Sequence, residues 1–189
     1  MGYLRSFANV ERPSLLPSTS TATPPFGYAP ATEVGMKSLG LRVEATTVHW
    51  AIVEGTPEDP TLVESGRLRF PKNHTTHEQL SWLRTEICAL VAQFGATSGG
   101  IRLPEPNMRQ GLSTMAPRLR AEGVVLEAMA ASNLSPVVAG PLSTIGSLIQ
   151  SKQPKGYLSE DEMRGMDWSE LDPNKREAAI VACAALAPR

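Results

Sequence analysis

The order of hydrophobic periods along the chain predicts an α/β fold: a mixed five-stranded sheet flanked by helices, in the order βββαβαβα. Three observations carry it. Between residues 38 and 70, apolar and polar residues alternate in three runs separated by short polar breaks, the period of half-buried strands. From His77 the period lengthens to that of a helix. Two short strand-like segments, each followed by a helical pattern, come after it, and steps of that kind build parallel strands.

The first strand is Ser38–Glu44, where Leu39, Leu41 and Val43 alternate with Gly40 and Arg42. Ala45-Thr46-Thr47 breaks it, and Val48–Glu54 follows as a second strand rich in β-branched and aromatic side chains. Gly55–Pro60 is a turn by composition, and Thr61–Phe70 is a third strand. Short connections make these three an antiparallel meander. His77–Phe94 places Leu80, Leu83, Ile87, Leu90 and Val91 on one helical face, with Thr76 as the expected N-cap and Gly95 as the stop. Gly95–Gly100 reads as a turn, because it follows a helix and precedes a strand, the wrong order for a phosphate-cradling loop. Ser98–Leu103 is the fourth strand, Met108–Ala131 a helical region interrupted at Pro117, and Ser135–Ala139 the fifth strand. Pro141–Ile149 is a helical turn, Gln150–Asp172 a polar loop, and Asn174–Leu186 an Ala-rich helix that packs on the sheet. Right-handed crossovers put strands four and five parallel to strand one.

Residues 1–36 stand apart. From Pro13 to Thr32 they are dense in Pro, Ser, Thr and Ala with almost no charge, and such a stretch buries too little apolar surface to offset its ordering entropy. It reads as a flexible arm ahead of a domain over 37–189. Its apolar residues Phe7, Leu15, Leu16, Phe26 and Tyr28 are anchors for a protein partner.

The chain has 189 residues and a formal net charge of −1, which excludes a polybasic binder acting through bulk electrostatics. Two cysteines argue against a disulfide scaffold and suit a reducing, cytoplasmic setting. No apolar run approaches the roughly 20 residues of a membrane span, so no membrane partner is expected.

Four short motifs fall in order along the elements: Gly40-Leu41-Arg42-Val43-Glu44, Trp50-Ala51-Ile52-Val53-Glu54, Ile101-Arg102-Leu103-Pro104-Glu105 and Arg176-Glu177-Ala178-Ala179-Ile180. Their order and spacing resemble the ribonuclease H-like superfamily, its RuvC-like branch in particular, over Lys37–Leu186. The resemblance implies carboxylates from strand one, strand four and the last helix at one sheet edge. They would hold two divalent cations, Mg²⁺ or Mn²⁺, about 4 Å apart for phosphodiester cleavage. By position, Glu44, Glu105 and Glu177 are the catalytic and metal-ligating candidates. The sequence departs from the pattern at Arg42, where an acid is expected and a cation stands. Glu44 lies two residues on, on the same strand face but about 7 Å further along. Only one acid opens the last helix unless Asp172 reaches in. The resemblance therefore implies a degenerate acidic site in which Arg42 pairs with Glu44, Glu105 or Glu177.

Around that site, Arg42, Arg102, Arg109, Lys152 and Lys155 are the candidates for nucleic-acid phosphates, with Arg118, Arg120 and Arg164 in the same positive rim. Aromatic platforms for stacking bases are few: Trp50, Trp82, Tyr157 and Trp168. His74 and His77 read as solvated loop residues, His49 as a surface residue of strand two, and Cys88 and Cys183 as core. Two functions follow. One is a divalent-metal-dependent nuclease; the other is a non-catalytic module that binds nucleic acid, or a protein partner through the arm. Pairing into a homodimer is a further implication of the resemblance.

Overall fold

The computed structural model describes residues 35–105 and 112–187. The arm up to residue 34 and the candidate Arg109 lie outside the described residues. The elements run β1 (Met36–Val43), β2 (Thr47–Gly55), β3 (Pro60–Arg69), α1 (Thr76–Phe94), β4 (Ser98–Arg102) and α2 (Leu112–Ala131). They continue as β5 (Val137–Gly140), α3 (Leu142–Leu148), β6 (Glu162–Met163), β7 (Met166–Asp167) and α4 (Pro173–Ala185). β1 to β5 form one sheet in the order β3-β2-β1-β4-β5. The first three strands are antiparallel, and β4 and β5 run parallel to β1. This is the expected mixed sheet.

Side-chain alternation divides β1 between two layers. Leu39, Leu41 and Val43 join Ile101 of β4 in a fully buried cluster with Leu83 and Ile87 of α1 and Val125 and Met129 of α2. Each such aliphatic side chain contributes about 1.5–3 kcal/mol by leaving water. The opposite face of the sheet receives α4, whose Ala178, Ala179, Val181 and Ala182 are fully buried. Small residues set how close that helix comes. A Cβ on Gly40 would lie 1.9 Å from the carbonyl oxygen of Ala178, and one on Gly100 would lie 2.6 Å from Val181. Glycine in the central strands and alanine in the helix are two halves of one packing solution.

Three local expectations need correction. The N-cap of α1 is Thr75 rather than Thr76: its N–H donates to the Glu78 carboxylate at 2.7 Å, a reciprocal arrangement that favours a Thr three residues before a Glu. Pro117 does not interrupt α2, which runs through it while Ala121, Val125 and Ala128 hold that helix to the sheet side. Gly99 and Gly100 belong to β4, as expected of the strand over Ser98–Leu103. The Gln150–Asp172 segment is packed rather than loop-like. It carries the β6–β7 hairpin and buries Met163, Met166 and Trp168 in the α4 layer. Buried Arg176 holds it in place by donating to the carbonyls of Leu158, Glu160, Ser169 and Leu171.

Candidate functional site

The C-terminal ends of β1 and β4 meet the first turns of α4 at one end of the sheet. Asp172 starts that helix by accepting from the N–H groups of Asn174 and Lys175 at 3.0 and 3.1 Å, with Pro173 in the first turn, the residue pattern of a strong start signal. Ala178 rests on Gly40, so Glu177, one residue earlier on the helix, reaches the next inward position of β1, Arg42. Arg42 Nε donates to Glu177 Oε2 at 2.5 Å, and both side chains are largely buried, 15% and 12% exposed.

Strand register adds a second cation. Arg42 is directly opposite Arg102 in the parallel β1–β4 pair, an arrangement that repels unless an anion lies between. Glu177 is that anion. Arg102 Nε lies 3.1 Å from the same Oε2, off the hydrogen-bonding direction, so it is an ion-pair contact and Nε itself has no hydrogen-bond partner among the described residues. Burial holds the Arg102 guanidinium below its ordinary pKa. Glu177 opposes that shift, neighbouring Arg42 and Arg118 add to it, and Glu105 opposes it again. Arg118 of α2 donates from Nε to buried Glu122 at 2.7 Å, and its Nη2 is buried with no acceptor.

Glu44 sits on the outer side of Arg42, 3.6 Å from Nη1. It also meets His49 Nε2 at 3.3 Å and the Asn174 amide at 3.4 Å. His49 is not the surface residue expected from its strand: it is 5% exposed, with Asp172 3.8 Å from Nδ1. The segment that opens α4 covers it. Glu105 lies with other partners. It accepts from Ser143 at 3.3 Å and has Lys155 at 4.0 Å, on the wall of a cavity of about 420 Å³ also lined by exposed Lys152. Glu44 and Glu177 thus meet on Arg42, while Glu105 faces the lysines.

Arg164 is not part of a positive rim, because its guanidinium donates to the carbonyls of Pro57 and Ile149. The indole of Trp168 is buried and donates to the Glu160 carbonyl at 2.9 Å, which removes it as a stacking platform. Cys183 is fully buried, and burial pushes its thiol up to about 12. The Arg118–Glu122 pair was missed from sequence; its spacing of four residues on one helix was the signal. The closure of His49 by Asp172 and Asn174 carried no local signal.

No protein-family model and no curated protein matches the chain. Solved structures do. Two structures of Thermus thermophilus RuvC superpose with TM-scores of 0.62 and 0.63 at 15% and 16% identity, over 79% of this chain and 91% and 92% of theirs. The first of them is in complex with Holliday junction substrate. The yeast mitochondrial Holliday junction resolvase Ydc2 gives a TM-score of 0.51 at 10% identity, over 79% of this chain and 78% of that one.

The chain has the RuvC fold.

Within the RuvC fold, the resemblance implied divalent cations held by carboxylates at this sheet end. The residues present do not fit them. A cation needs free carboxylate lone pairs, and Glu177 Oε2 is taken by two guanidiniums. Among the described residues, no three His, Cys, Asp or Glu side chains come together as a cation site. Among those same residues, no helix is long and apolar enough to cross a membrane.

Proposed function

We propose that this RuvC-fold domain binds nucleic acid through the end of the sheet where Arg42, Arg102, Lys152 and Lys155 lie, and that it holds the phosphate backbone without two-metal cleavage. One observation supports the reading above the others: Arg42 and Arg102 both sit on Glu177 Oε2, at 2.5 and 3.1 Å. A guanidinium suits phosphate as a bidentate donor and carries a permanent charge. It also repels the cations that hydrolysis in this fold requires. The fold resemblance to resolvases supports branched DNA as the first substrate to try, an inference by analogy.

The test is fluorescence anisotropy with four-way, duplex and single-stranded DNA in EDTA, run beside a cleavage assay in Mg²⁺ and in Mn²⁺. Binding in EDTA that weakens steeply with salt, with no cleavage in either cation, is the expected result. Cleavage that needs Mn²⁺ and disappears in Glu105→Gln or Glu177→Gln would overturn it and restore the acidic site as catalytic.

A further inference from the structure

The outer strand of the sheet carries cations that the Arg42 site does not use. β2 and β3 pair so that Thr47 is opposite Arg69, and the Phe70 N–H donates to the Thr46 carbonyl at 3.1 Å. The β1–β2 turn, closed by the Glu44 N–H on the Thr47 carbonyl at 2.8 Å, is thereby tied to the end of β3. Just beyond, the side-chain amide of Gln79 on α1 donates to the Pro71 carbonyl at 2.9 Å. These bonds frame a cavity of about 370 Å³ whose lining includes Thr46, Thr47, Arg69, Phe70, Lys72 and Gln79. Among the described residues that lining holds two cations and no carboxylate. Arg69 and Lys72 are both exposed, and among the described residues neither has a carboxylate partner, whereas Arg42, Arg102 and Lys155 each have one. A concave surface with fixed cations, hydroxyls and no acid concentrates anions.

Strand register places this cavity at the same end of the sheet as the site already described. Arg67, His49, Arg42 and Arg102 stand at one level on β3, β2, β1 and β4, and Arg69 lies two residues beyond Arg67 on the same strand face. The cavity with Lys152 and Lys155 opens beside Ser143, just past β5. From β3 to β5 is four strand spacings, roughly 19 Å, a length over which one nucleic-acid strand carries about five phosphates. We propose that the cavity at the end of β3 is a second phosphate site, where Arg69 and Lys72 hold a backbone diester of a strand laid across this end of the sheet. Arg69 brings a fork and Lys72 a point charge, and the Thr46 and Thr47 hydroxyls add neutral donors. Glu44 and Asp172 stand between the two cation groups, which makes them separate anchors rather than one continuous band. The inference rests on the nucleic-acid reading for its ligand and extends the interface to the outer strand.

The test is the anisotropy of a labelled single-stranded oligonucleotide, titrated with the full chain in EDTA at several salt concentrations. Arg69→Gln and Lys72→Gln should each weaken binding on the order of threefold, the size of an exposed and screened contact, and the double variant on the order of tenfold. The slope of log affinity against log salt should become shallower by about 0.7 for each residue replaced, whatever the base sequence. Lys152→Gln with Lys155→Gln, at the other anchor, should act in the same way. Arg84→Gln should change nothing, since Arg84 is an exposed partner of Glu127. Circular dichroism establishes that each variant is folded.

Binding by the Arg69 and Lys72 variants equal to wild type, with the Lys152 and Lys155 variant weakened, overturns the second site and leaves the nucleic-acid reading standing. Loss confined to the Arg69 and Lys72 variants keeps the second site and overturns the placement of the interface at Arg42, Arg102, Lys152 and Lys155. An oligonucleotide that does not bind wild type overturns both. Its displacement from wild type by an equal concentration of inorganic phosphate, at constant ionic strength, would make the cavity a site for the free anion and overturn the diester.

Discussion

Arg42 and Glu177 are 135 positions apart in the chain and meet at 2.5 Å, with Arg42 on β1 and Glu177 in the second turn of α4. The contact follows from the packing beneath it. Gly40 lets α4 approach β1 until Ala178 rests on the strand, and the next inward side chain of β1 then has only the preceding helical residue to meet. Removing the carboxylate should therefore be costly, because two arginines would be left facing each other. Glu177→Gln should lower unfolding stability by about 3 kcal/mol, read from urea denaturation. Replacing all three charges together with apolar residues of similar size should cost much less. A loss within about 0.5 kcal/mol for Glu177→Gln would mean that water, rather than Glu177, balances the two cations.

The close approach itself is open to test. Gly40→Ala places a methyl group within 1.9 Å of a main-chain oxygen that cannot move aside without the whole helix. Destabilisation of about 2–3 kcal/mol is expected, read from urea denaturation, since displacing α4 also takes Glu177 away from both arginines. A Gly40→Ala protein as stable as wild type would show that α4 slides freely on the sheet.

How much of this was legible beforehand depends on the range of the interaction. The strands β1 to β5 and the helices α1 and α4 follow local periods of two and near four residues, and Leu39, Leu41 and Leu83 fall on their expected faces. The Arg42–Glu177 contact was legible only as one of three carboxylates Arg42 was expected to meet, because a resemblance supplied the topology and charge supplied the chemistry. His49 was misread for the opposite reason. Its alternation on β2 is that of a solvated position, and Asp172 and Asn174, more than a hundred residues later, lie against it. Met163, Met166 and Trp168 sit among Gly, Asp and Glu with no helical or strand period. Their burial depends on the α4 layer they pack against, and nothing nearby in sequence announces it.

Cys183 predicts an alkaline weakness. The unfolded thiol ionises near 9.0, whereas burial in the α4 layer pushes the folded value up to about 12. Between those values only the unfolded chain releases the proton, so the stability from keeping Cys183 neutral is full below about pH 9 and is lost as pH rises toward about 12. Denaturation midpoints measured at intervals from pH 8 to pH 11 should fall more steeply for wild type than for Cys183→Ala. Equal slopes would show that the thiol is not the group responsible.

The cation that stands at Arg42 should also decide whether the site tolerates a metal. In wild type a divalent ion would approach two guanidiniums before it reached Glu177, so millimolar Mn²⁺ is expected to leave the melting temperature unchanged. Arg42→Asp exchanges the nearer cation for a carboxylate and frees Glu177 Oε2 from its shorter contact, with Glu44 close by. Binding to the folded state alone stabilises it by mass action. At tenfold over the dissociation constant the gain is about 1.4 kcal/mol, a rise on the order of 3 °C for a domain of this size. Differential scanning fluorimetry with Mn²⁺ and with Ca²⁺ measures it directly. A melting temperature raised by Mn²⁺ in wild type as much as in Arg42→Asp would mean that the arginines move aside for a metal, and that the site belongs with the cation-holding members of its fold after all.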